Sequence, residues 1–227
     1  MAKVVLGVGP TDHEIESGKL YLEFYGGRIN NIMEATGTVE NNRYVDEHPA
    51  LPAITAFMKE EGWELSGSGF FSAVFVRGGL ALKVGLKKED SGATYAAWAR
   101  ANQGKAGVPV IYAIDKFTRC YVVLLDRCHP FDRGTAGTQL RCEATMVRDI
   151  IEHGDSPVIE MPITVTAHEI RTFFDGIAFF DVNSGNIMVD RFGRLVITDP
   201  VSYDHGMRSN HSRQDRPEHE YTYTYTY

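Results

Sequence analysis

The sequence predicts an α+β protein, compact and bilobal: an antiparallel sheet in the first half, then a reduced, mainly helical second half. Three observations carry this. Short apolar runs at residues 73–77, 80–84, 109–117 and 120–125 are broken by Gly78-Gly79 and Thr118-Arg119, as in antiparallel hairpins. Residues 139–153 place Leu140, Ala144, Val147 and Ile151 on one helical face. Further on, Ile187-Met188-Val189 and Leu195-Val196-Ile197 flank Asp190-Arg191-Phe192-Gly193, which reads as a tight hairpin.

The elements follow in order. Residues 1–45 read as an extension that packs on the rest. Within it Leu20-Tyr21-Leu22-Glu23-Phe24-Tyr25 fits a strand ended by Gly26-Gly27, while residues 14–34 also fit a partial helix. Leu51, Ile54, Phe57 and Met58 fall at helical spacing, with Gly62 as a stop. The sheet occupies residues 46–126. Between its strands, residues 93–103 are Ala-rich and helical, with Asp90 or Ser91 as cap. The second half covers residues 127–203. Its last helix is expected to begin at Thr166, where Thr166 and Glu169 have capping-box spacing, and to bury Ile170, Phe173 and Phe174 against the hairpin. Residues 204–227 form a polar tail expected to be disordered, ending in alternating Tyr and Thr.

Composition narrows the function classes. With 227 residues, 43% of them hydrophobic, the chain can bury a sizeable core. A formal charge of −7 argues against a general nucleic-acid-binding surface. Cys120, Cys128 and Cys142 form no C-x-x-C pair, and no signal peptide is visible, so idle thiols in a reducing cytoplasm are expected. No apolar run has the length of a membrane span.

The chemistry concentrates between residues 179 and 200. Asn186 follows Asp181 by five positions, and Asp199 follows Asn186 by thirteen. An antiparallel hairpin brings Asn186 at its entry beside Asp199 at its exit, with Asp181 projecting from the preceding loop. One carboxylate and one amide oxygen suit a Mg2+ held jointly with phosphates. A separate carboxylate, Asp181, suits a hydroxyl nucleophile whose proton must be accepted. Phosphoryl transfer from ATP needs this set, because its loose, charged transition state asks mainly for positioning and cations. Asx turns on a surface hairpin are the plainer alternative.

Upstream, Gly67-Ser68-Gly69-Phe70-Phe71-Ser72-Ala73-Val74 matches G-x-G-x-x-G-x-V with Ser72 for the third glycine. Its strand–turn–strand context favours a hairpin covering phosphates over a dinucleotide-binding turn. Lys83, between Leu82 and Val84, is expected to meet the α- and β-phosphates, since an ammonium in an apolar strand needs a partner. A solvent-facing edge lysine is the alternative. The following helix has no acidic residue, so Glu89 or Asp90, or more remotely Glu143, is the candidate partner of Lys83. Backbone groups near Leu125, Asp126 and Arg127, where the chain turns polar, are the expected adenine contacts.

The order of motifs resembles the protein-kinase superfamily. The catalytic loop H-R-D-x-x-x-x-N appears as Phe179-Phe180-Asp181 through Asn186, and D-F-G as Asp199-Pro200-Val201. Residues 83–95 (KVGLKKEDSGATY), 173–188 (FFDGIAFFDVNSGNIM) and 197–202 (ITDPVS) resemble the early protein kinase family of T7-like bacteriophages, a likeness covering residues 62–203. That resemblance implies a bilobal kinase-like fold and a serine/threonine kinase that uses ATP and Mg2+ in the cytoplasm of an infected bacterium. Its implied partners are host proteins of transcription, translation and RNA processing, RNA polymerase among them, and the kinase itself. Residues 200–227 do not read as the basic C-terminal region tied to host transcription shut-off in some relatives, so that role is not expected here. Residues 200–227 hold no A-P-E motif, so activity as made is expected, with tail hydroxyls open to modification. Two rival readings share the same parts: a small-molecule phosphotransferase of the aminoglycoside-kinase type, and a pseudokinase that only binds a host enzyme.

Overall fold

The computed structural model describes residues 7–37, 45–87, 92–131, 137–155, 159–183 and 185–202. They form a mixed α+β structure with antiparallel sheets and five α-helices. Helix α1 spans Asp12–Thr36 and α2 Leu51–Glu60, with a 3-10 turn at Val45–Glu47 before α2. Strands β1 (Glu64–Ser68), β2 (Ser72–Arg77) and β3 (Leu80–Gly85) lead to α3 (Gly92–Ala101), then β4 (Ile111–Lys116) and β5 (Tyr121–Asp126). After the short β6 (His129–Pro130) come α4 (Thr138–His153) and α5 (Pro162–Phe174). The last strands are β7 (Phe179–Phe180), β8 (Ile187–Val189), β9 (Leu195–Ile197) and β10 (Val201–Ser202).

The main sheet has the order β1-β2-β3-β5-β4 and every pairing is antiparallel. Its two faces serve different cores. Phe75, Leu82 and Leu124 pack with α1 and α2 in one cluster. Val123 and Tyr121, on the other face, join α3, α4, α5 and the β8–β9 hairpin in the second. Lys83 stands opposite Val74 and Val123 in the registers of β3 with β2 and β5. Side chains alternate along a strand. Leu82 and Val84 therefore point into the first core, and Lys83 points toward the second.

The N-terminal extension contains a helix where a strand was one of the two options. Thr11 caps α1: its hydroxyl accepts from the Glu14 N–H at 3.2 Å, and the Thr11 N–H donates to the Glu14 carboxylate at 2.7 Å. Leu22, Tyr25, Ile29 and Met33 are buried at helical spacing in the first core. Gly26 does not end the helix. A Cβ there would lie 2.0 Å from the Phe117 ring, and one on Gly18 would lie 2.8 Å from Leu124. The missing side chains let α1 settle directly on the sheet. Before α1, residues 7–11 form a strap. A Cβ on Gly79, in the β2–β3 turn, would lie 2.4 Å from the Pro10 nitrogen, and one on Gly9 would lie 1.4 Å from the Arg191 guanidinium.

Helix α2 starts and stops where its spacing predicts. Helix α5 begins earlier than expected, with Pro162 in its first turn and the Thr164 hydroxyl accepting from the Met161 N–H at 2.9 Å. Thr166 lies inside the helix and its hydroxyl donates back to Pro162, while Glu169 pairs with Lys105 at 2.7 Å. Ile170 and Phe174 are buried as expected; Phe173 is 50% exposed. Residues 204–227 lie outside the described residues, as do Asp90 and Ser91, the expected caps of α3. No helix among the described residues is long and apolar enough to cross a membrane.

Candidate active site

The hairpin at residues 187–197 forms in the expected register, with Ile187 opposite Ile197 and Val189 opposite Leu195. Asp190 builds its turn: the carboxylate accepts from the N–H groups of Phe192 and Arg194 and pairs with the Arg194 side chain. Gly193 takes the left-handed conformation, φ 72°, that the turn needs. Just past the register, the Thr198 N–H donates to the Asn186 carbonyl at 2.9 Å. Asn186 and Asp199 are thus held side by side.

Asp181 is tied to both. Its N–H donates to the Pro200 carbonyl at 2.9 Å, and its carbonyl accepts from the Asn186 amide at 2.6 Å. The short antiparallel pair of β7 with β10 continues this link, with Val201 opposite Phe180. Two residues unremarked in the sequence support the loop. The Glu152 carboxylate on α4 accepts from the Val182 N–H at 3.2 Å, and the Asn183 side chain accepts from the Gly185 N–H at 2.8 Å. The N-S-G run is a recognisable Asx-turn signal; nothing local marks Glu152.

Lys83 reaches into this group from the sheet. Its ammonium lies 2.6 Å from Asp199 Oδ2, with 14% of the Lys83 side chain and 30% of the Asp199 side chain exposed. Asp199 Oδ1 is buried and has no hydrogen-bond partner among the described residues. A buried carboxylate oxygen without a donor is unfavourable. A hard cation would satisfy it, and the Asn186 amide, whose nitrogen is engaged, has its oxygen to add. The residues therefore fit Mg2+. Among the described residues no set of three His, Cys, Asp or Glu side chains suits a metal, so such an ion needs ligands from elsewhere, as phosphates supply.

The glycine-bearing segment is a hairpin. Gly67 stands opposite Val74 and Ser68 opposite Ala73, with a register irregularity just before Gly67. Its tip is closed by the Gly69 N–H donating to the Ser72 carbonyl at 2.8 Å. It is also held from outside: the Val45 N–H donates to the Gly69 carbonyl, and the Lys87 ammonium lies 3.4 Å from the Phe70 ring centroid.

The expected adenine contacts are arranged differently. Leu125 is mid-sheet, opposite Ala81 and Ile111. The Asp126 N–H donates to the Val110 carbonyl and the Arg127 N–H to the Gly79 carbonyl. Both N–H groups are thus engaged within the chain. The Asp126 side chain accepts from the Tyr112 hydroxyl at 2.5 Å. Burial, followed by Asp126, pushes that phenol well up. Asp126 and Arg127 border a cavity of about 560 Å³ with the strap, His129 and Arg191.

Glu89 lies outside the described residues. Glu143 bonds Gln139 one turn earlier in α4. From α3 it is Tyr95 that contacts the site: its buried hydroxyl donates to the Ile197 carbonyl at 2.6 Å. Cys120, Cys128 and Cys142 are free thiols, and burial pushes Cys120 and Cys128 up to about 12.

A strand lysine, an Asp–Asn pair and a further aspartate, linked by side-chain and backbone bonds, are parts that protein kinases use. The chain belongs to one such family: the model for Bacteriophage T7 protein kinase 0.7 matches residues 21–220. The family is one of phage protein kinases, which implies use of ATP. No curated protein matches the sequence.

Proposed function

We propose that the chain is an ATP-dependent serine/threonine protein kinase of bilobal, kinase-like architecture that phosphorylates proteins of the infected host, and itself. The observation that carries this is the meeting of Lys83 with Asp199 at 2.6 Å, beside an Asn186 bonded to the Asp181 backbone. Residues from three separate parts of the chain are joined here by side-chain and backbone bonds, in the types phosphoryl transfer requires.

In this reading Asp199 and Asn186 hold Mg2+, which when bound neutralises charge on the phosphate oxygens. Lys83 leaves its ion pair with Asp199 to engage the α- and β-phosphates. Asp181 orients the attacking hydroxyl and accepts its proton. The hairpin bearing Gly67, Ser68, Gly69, Ser72 and Val74 covers the phosphates, its shape fixed by the contacts at Gly69 and Phe70. The adenine docks beside Leu125 through groups other than the two engaged N–H donors. With residue 181 hydrogen-bonded to residue 200, the loop carrying Asp181 and the segment carrying Asp199 are already in register, so the enzyme works as made.

The test is incubation of the purified protein with labelled ATP and bacterial lysate, followed by phosphoamino-acid analysis. Label on serine and threonine of proteins is expected. Label on a small molecule, or none, would overturn the proposal. Asp181→Asn is expected to lower kcat about 100-fold or more while leaving ATP binding within about twofold.

A further inference from the structure

We propose that Tyr95 is a positioning residue for Asp199, through which α3 governs the metal-binding carboxylate. The inference rests on the reading of Asp199 as a metal ligand. In place of an acidic side chain, α3 brings to the site a phenol aimed at the backbone two residues before Asp199.

Several observations converge on that point of the chain. The Tyr95 hydroxyl donates to the Ile197 carbonyl at 2.6 Å, and the Ile197 N–H donates to the Gly107 carbonyl at 2.8 Å. Both polar groups of one residue are thus gripped from the α3–β4 side, Gly107 lying between α3 and β4. Gly107 has φ 78° and almost no space beside it, since a Cβ would lie 2.9 Å from Ile163. On the opposite edge Ile197 faces Ile187, and the Thr198 N–H donates to Asn186. The backbone from 197 to 198 is therefore fixed on two sides, and Asp199 follows directly.

Tyr95 is itself immobile. It is 1% exposed, its ring stacks on Trp98 at 5.8 Å, and Phe174 packs on it at 6.1 Å. A phenol so enclosed must find an acceptor, and the one it finds sets the height of the strand that delivers Asp199. Burial, then the nearby Asp199 charge, pushes Tyr95 well above the ordinary phenol range, so it remains a donor at all working pH values. A rigid support of this kind around a ligand changes metal affinity more than it changes the fold.

Tyr95→Phe removes one oxygen and leaves the ring packing in place. Trp98→Phe weakens the packing and keeps the hydroxyl. Mn2+ binding in the presence of a non-hydrolysable ATP analogue, read by electron paramagnetic resonance, compares both with the parent and with Asp199→Asn. Tyr95→Phe is expected to weaken Mn2+ binding about tenfold and to lower kcat comparably, with KM for protein substrate within about twofold. Trp98→Phe is expected to melt at a lower temperature with parental Mn2+ affinity. Parental affinity in Tyr95→Phe, with Mn2+ binding lost in Asp199→Asn, overturns the positioning role alone. Equal weakening in Tyr95→Phe and Trp98→Phe also overturns it, since core packing then explains the effect. Parental affinity in Asp199→Asn overturns the metal reading and this inference together.

Discussion

The two cores on either side of the main sheet are built by different means. The one beneath α1 and α2 rests on five antiparallel strands, with large apolar side chains such as Phe75, Leu82 and Trp63 fully enclosed. The other joins α3, α4 and α5 to strands of two or three residues, and its geometry depends on a few long-range polar bonds: Tyr95 to Ile197, Lys83 to Asp199 and Val182 to Glu152. The first core supplies a platform. The second leaves backbone free of extended pairing, so that side chains of four segments can meet. Damage to the first should appear as lost stability, and loss of the polar bonds in the second as lost chemistry.

The sharpest break in that contrast is Asp199→Asn, which removes the charge of the proposed metal ligand while keeping the shape. Label transfer from ATP to protein is expected to fall about 100-fold or more with the melting temperature nearly unchanged, read by radiolabelling and calorimetry. Lys83→Met comes next. Activity is expected to drop tens of times through weaker ATP handling, and the Tm by no more than about 4 °C, because the ion pair it breaks is partly solvated. A large fall in Tm with unchanged ATP handling would make Lys83 a purely structural residue. Gly26→Ala probes the other core. The added methyl collides with Phe117, and a cost of about 1–3 kcal/mol, or roughly 2–12 °C, is expected with kcat per folded molecule intact.

The smallest effect concerns acid. His48 is buried, and its Nδ1 accepts from the Ala50 N–H at 3.2 Å. Burial, then Lys87, lowers its pKa. The unfolded chain therefore binds this proton more readily than the folded one. The stability contribution is complete above the ordinary histidine range and lost as pH falls through the lowered value. A modest decline of Tm in mild acid is expected, flattened in His48→Asn, which keeps an acceptor without the titration.

Much of this was legible in the sequence because short-range rules govern it. Short apolar runs broken by turn residues give β2, β3 and β5, the Asp190-to-Gly193 turn gives the last hairpin, and the pairing of its ends follows. What escaped detection depends on distant neighbours. Gly26-Gly27 looks like a stop until Phe117 is seen to need the space a side chain would fill. Thr166 and Glu169 have capping spacing, yet Pro162 and Thr164 start the helix sooner. Tyr95 sits in an Ala-rich helix where an aromatic residue reads as core; its hydroxyl acquires meaning only when a strand a hundred residues later arrives beside it. The engaged N–H groups of Asp126 and Arg127 likewise depend on Val110 and Gly79, partners that no local pattern announces.

The strap at residues 7–11 also has a mechanical consequence. It touches the β2–β3 turn through Gly79 and the β8–β9 turn through Arg191, so it links a turn of the main sheet to a turn of the three-stranded sheet. Any breathing motion that parts them must take up its slack, at most about 3.5 Å per residue. In the kinase reading proposed above, slackening the strap is therefore expected to quicken nucleotide release while leaving Lys83 and Asp199 in place.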